Sequence, residues 1–167
     1  MVEQLLMQRI REVLRRITAS TPRPNPLRLG SAVSWRTSDL PAPTSARQPP
    51  PDVAALWACC DGAELFKDQD YGQWGLELLA QGKSAYLSDY FIKNRPRDFK
   101  TGDVVIGAFI GDQDLLVVAP SETGSRRILI ALPIYERSEW YGVGSDLASF
   151  LEDYLAREGA KYWDPMQ

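Results

Sequence analysis

The sequence predicts an α+β domain: a mixed, largely antiparallel β-sheet with helices packed against it, preceded by an N-terminal helix and a proline-rich arm. Three observations lead there. Apolar residues recur at three- and four-residue steps near both ends of the chain. Between them, short β-branched runs are joined by tight turns rather than by helix-length crossovers. Eight of the twelve prolines lie between Ser20 and Pro51, which excludes regular helix over most of that span.

Each element has its own signal. Leu6, Ile10, Val13, Leu14 and Ile17 mark one face of a helix, with arginines and glutamates between them, so residues 1–19 form an amphipathic helix. That face suits packing on the domain or on a second copy of the chain. Residues 20–51 form an extended connector, with Leu29 to Trp35 as a short strand or apolar anchor within it. The compact domain spans 52–163, and 164–167 is a tail. Asp52 is the expected N-cap of a short helix whose buried face carries Leu56 and Trp57, and Gly62 is the expected stop. Gly72 to Leu79 alternates Trp74, Leu76 and Leu78, which reads as a strand. Residues 83–94 are ambiguous, with Tyr86, Leu87, Tyr90 and Phe91 at helical spacing.

Val104 to Ile110, Leu115 to Ala119 and Ile128 to Ile134 are strand candidates. The first two are joined by Gly111-Asp112-Gln113-Asp114, and a second turn falls at Ser121 to Ser125. Glu139 to Val143, which includes Trp140, is a last strand candidate. A closing helix presents Leu147, Phe150, Leu151, Tyr154 and Leu155, with Ser145 as expected cap and Gly159 as stop.

Composition narrows the function classes. The 167 residues include no histidine, so neither a Ser-His-Asp nor a Cys-His mechanism can be assembled from this chain alone. The net charge of −3 is uneven: residues 1–50 hold eight arginines against Glu3, Glu12 and Asp39, whereas 51–167 hold eleven basic and nineteen acidic residues. An acidic body disfavours nucleic acid and suits a basic protein partner. No apolar run reaches the roughly 20 residues of a membrane span, and no secretory apolar segment follows the basic start. The expected location is therefore the cytoplasm.

The motifs that mimic chemistry do not complete it. Cys59 and Cys60, the two cysteines, lack the second pair of a zinc site and sit at a helix end beside Asp61, so they read as buried free thiols. The stretch from Asp68 through Asp70 and Tyr71 has Gln73 and Leu79 where a calcium loop needs glycine and glutamate. Gly142-Val143-Gly144-Ser145 lacks the third glycine of a dinucleotide fingerprint, and Asp146 would repel a phosphate. Paired acids such as Asp112 with Asp114 and Glu152 with Asp153 read as turn and helix surface, a carboxylate-based hydrolase being the remote alternative. No cofactor is expected. The partner-facing candidates are Asp68, Asp70, Tyr71, Asp112 and Asp114.

Leu56-Trp57 followed by Asp61-Gly62-Ala63-Glu64, then Trp74-Gly75-Leu76, Ile106-Gly107, Phe109, Gly111-Asp112, Asp114 and Leu115 to Val118 occur in an order that resembles the SUKH superfamily. The late Glu139-Trp140-Tyr141 and the helix Asp146 to Leu151, with Phe150, complete the resemblance over residues 50 to 160. That superfamily includes the fungal regulator of cell-wall synthesis and bacterial immunity proteins. The resemblance implies a non-enzymatic domain that binds and neutralises a cognate toxin domain, for example a basic nuclease. The alternative is a regulator or scaffold that assembles with itself through the N-terminal helix and arm.

Overall fold

In a computed structural model that describes residues 2–20, 49–68, 70–119 and 127–166, a six-stranded sheet is sandwiched between two helical layers. The elements run α1 (Val2–Ser20), α2 (Pro51–Cys59), β1 (Ala63–Leu65), β2 (Leu76–Leu78), α3 (Gln81–Asn94), β3 (Val104–Phe109), β4 (Leu115–Val118) and β5 (Ile128–Ala131). A 3-10 turn (Arg137–Glu139), β6 (Tyr141–Gly144) and α4 (Leu147–Ala156) complete the order. The strands lie in the sheet in sequence order, and every ladder is antiparallel. The α+β expectation holds, with an antiparallel sheet in place of a mixed one. The stretch from Leu29 to Trp35, the turn at Ser121 to Ser125 and nearly all of the proline-rich arm lie outside the described residues.

Strand alternation sends side chains into two cores. In β4, Leu116 and Val118 join the core under α1, α2 and α4, while Leu115 and Val117 join the one under α3. Both faces are covered, which is why β4 is apolar at every position. In β3 the register slips between Val105 and Gly107, a bulge. Gly107 there is tightly packed: an added Cβ would lie 3.0 Å from Leu76 Cδ1 and 3.1 Å from Leu116 Cβ, so those leucines would have to shift by a few tenths of an ångström.

The segment ambiguous in sequence forms α3, fastened to Val105, a residue of β3 that β2 does not pair. The most buried residues of α3 are two serines, Ser84 and Ser88. Ser84 Oγ donates to Val105 O (2.6 Å), and Val105 N donates to Ser88 Oγ (2.8 Å). The helix is thus fastened to strand backbone by hydroxyls, while Leu87, Phe91 and Ile92 pack beside them.

α1 is part of the main core. Ile10, Val13, Leu14 and Ile17 are 0–2% exposed and pack with α2 and α4. Arg9 reinforces the dock, donating from Nε and Nη2 to Glu152 at 3.1 and 2.9 Å. Of the two surfaces expected to receive this helix, the domain itself takes its apolar face.

Three expected caps are corrected. α2 begins at Pro51 with Pro50 before it, as the fixed φ of proline favours. Asp52 is buried in the first turn, where it accepts from Leu147 N (3.2 Å) and pairs with Arg127 (3.4 Å). It therefore ties the start of α2 to the start of α4 rather than capping its own helix. α2 ends at an extended Cys60, and Gly62, two residues later, turns the chain into β1. α4 is capped by Asp146, not Ser145: Ser149 N donates to its Oδ1 (2.8 Å).

The signature residues divide by role. Leu56, Trp57 and Phe150 are buried in the main core, and Trp140 packs at a tilt against Phe99 (4.8 Å between centroids) in the other. Trp74 lies before β2 in a loop, because the strand is shorter than its alternation predicts. Opposite α3's C-terminal end, an ionic network fixes the link after β5. Arg137 donates to Asp103 at 2.6 and 3.2 Å, Arg95 pairs with Asp98 at 2.5 Å, and Arg137 N donates to Asp98 Oδ1 at 3.1 Å. Burial opposes ionisation of Asp98, but the Arg95 and Arg137 donors outweigh it and hold the carboxyl below its ordinary value.

Candidate protein-binding surface

The antiparallel order decides where the candidate residues meet. Leu65 pairs with Leu76, and Leu76 pairs with Phe109, so the β1–β2 loop and the β3–β4 turn leave the same end of the sheet. Asp68, Asp70 and Tyr71 sit on the first, Asp112 and Asp114 on the second. The two segments touch: Ile110 N donates to Gly75 O (2.8 Å). Gly111 sits at φ +92°, and a Cβ there would lie 2.1 Å from Gln73 O, so only glycine permits this approach.

The aspartates are not equivalent. Asp68 builds its loop, accepting at Oδ1 from Asp70 N (2.9 Å) and Tyr71 N (3.4 Å). Asp112 does the same in the turn, accepting from Asp114 N (2.9 Å). Asp70 is exposed, and Tyr71, at 82% exposure, projects its ring into solvent. Tyrosine contributes large contact area with few rotors to freeze, so an exposed one beside a carboxylate suits protein recognition.

Sequence reading missed Lys161. Although only 8% exposed, its ammonium contacts Asp112 Oδ2, lies 3.9 Å from Asp114 Oδ2, and faces the rings of Trp74 (5.4 Å) and Phe109 (5.2 Å). The segment after α4 places it there, held by Trp163 against Phe109 (5.3 Å) and Phe150 (5.9 Å). Burial lowers the Lys161 pKa despite the attraction of Asp164; burial and Asp164 together raise that of Asp114. A lysine near a chain end normally reads as solvated, so no local signal marked it.

Cys59 and Cys60 are, as their setting implies, free and buried, and burial pushes the Cys60 thiol up to about 12. Asp61 accepts from Gln81 N (3.3 Å) at the start of α3, beside a groove of about 280 Å³. Two other acids lining that groove, Glu64 and Glu77, pair with Lys67 and Lys83 at 2.9 Å each. The outer face of α3 exposes Tyr86 and Tyr90, stacked 6.4 Å apart, as a second aromatic surface. No described helix is long and apolar enough to cross a membrane. In comparisons with known proteins, no family model, no curated protein and no solved structure matches the chain.

Proposed function

We propose that this chain is a non-enzymatic protein-binding domain of the immunity type, acting in the cytoplasm. In this reading it occludes a basic toxin domain through the sheet end that carries Asp70 and Tyr71. The observation that carries the proposal is the convergence of two acidic loops, remote in sequence, at one end of the sheet with Tyr71 the most exposed ring there. The excess of acidic residues in 51–167 supports a basic partner, whose encounter an acidic face accelerates. The packing of α1 into the core favours this over the scaffold reading, since that apolar face is already used within the chain.

The test is co-expression with the effector domains encoded in the gene neighbourhood. Restored growth together with a co-purifying complex supports the proposal. Toxicity unchanged by co-expression, with both proteins folded, contradicts it.

A further inference from the structure

We propose that Trp74, Phe109, Asp112 and Asp114 form a recognition cage for a primary alkylammonium, and that the chain's own Lys161 is its resident occupant. Two aromatic faces within the roughly 6 Å reach of a cation–π contact surround the ammonium, at 5.4 and 5.2 Å. Two carboxylates complete the enclosure, Asp112 in direct contact and Asp114 at 3.9 Å.

The cage is built at one end of the sheet. Phe109 ends β3, Asp112 and Asp114 lie on the turn that Gly111 seats against Gln73, and Trp74 stands in the β1–β2 loop. The occupant arrives from a different part of the chain, beyond α4. Ligand and receptor are therefore separable: removing the side chain beyond Cβ leaves a site whose shape is set by the sheet end. The compact ammonium, with three donors, matches one carboxylate in contact and a second nearby.

The consequence for recognition rests on the proposed toxin-binding reading. While Lys161 is seated, Asp112 and Asp114 serve an internal cation, so Asp70 with Tyr71 carries the outward contact. A partner lysine that is to lie between the two rings must displace Lys161, which makes the C-terminal segment a built-in competitor.

The test needs no partner. Lys161→Ala removes the atoms of n-propylammonium, so that ion is the probe. Its titration into the variant is expected to raise Tm with the logarithm of concentration above Kd, by about 3–5 °C at a tenfold excess over Kd. Amide signals of residues 110–114 and the Trp74 indole are expected to return to their wild-type positions. The wild type, n-propanol at equal concentration and sodium chloride at equal ionic strength are the controls. Adding Asp114→Asn to the variant is expected to weaken rescue at least several-fold. If Lys161→Ala does not fold alone, the same titration is read as recovered folded signal. Equal responses of variant and wild type, rescue by propanol, or no response overturn the cage. Because toxin neutralisation is measured separately, either idea can fail without the other.

Discussion

Leu14→Ala tests whether α1 is structural core or a detachable extension. Leu14 is fully buried, in contact with the layer that α2 and α4 contribute. The substitution deletes three carbons, and at about 0.8 kcal/mol per buried methylene the transfer loss is roughly 2.4 kcal/mol. The residual cavity adds to this, because α1, α2 and α4 are pinned by their neighbours and close up incompletely, which gives about 3–4 kcal/mol in total. That is a large share of the roughly 5–15 kcal/mol typical of a domain. Tm should fall by roughly 6–16 °C at 2–4 °C per kcal/mol. Urea unfolding followed by tryptophan fluorescence measures it, with Leu5→Ala as control, since Leu5 is 59% exposed. The control should change stability by no more than about 0.5 kcal/mol. If Leu14→Ala matches Leu5→Ala, α1 does not belong to the cooperative core and the reasoning fails.

Two further outcomes follow from polar contacts. Ser88→Ala strips the acceptor from Val105 N and leaves a buried amide without its partner; the expected loss is about 1–3 kcal/mol by urea titration, and a loss below about 0.3 kcal/mol would refute the role given to that hydroxyl. Asp98 has a folded pKa below its unfolded value of about 3.9, so its stabilising contribution is present above that pH and lost as pH falls through the lowered folded value. Asp98→Asn should therefore show a shallower loss of stability between neutral pH and about pH 2.5 than wild type, and identical slopes would contradict the assignment.

Much of the architecture is legible from residue pattern. The strands β3, β4 and β5 and the helix α4 follow their apolar periodicity, and the adjacent cysteines are buried thiols as their setting implies. What escaped is what periodicity does not encode. β1 is three residues long, too short to show alternation. α3 buries Ser84 and Ser88 beside Leu87, Phe91 and Ile92 while exposing Tyr86 and Tyr90, so its apolar residues do not mark one inward face. The stripe on α1 declares an amphipathic helix but not which surface receives it. At the candidate site the acidic residues were readable one by one. Their convergence depends on strand order, and the Lys161 contact depends on where the chain goes after α4.

The central claim, that the end bearing Asp70 and Tyr71 is the partner-facing surface, is tested most directly by affinity for a neutralised toxin domain. Calorimetry would compare Asp70→Lys with Tyr71→Ala in one chain against Tyr86→Ala with Tyr90→Ala in another, both checked for native unfolding. The account predicts that the first pair weakens Kd by about 30-fold or more, as loss of a central tyrosine and a charge reversal should, and that the second pair leaves Kd within about threefold. Unchanged affinity in the first pair and collapse in the second would move the binding surface to the outer face of α3 and contradict the account.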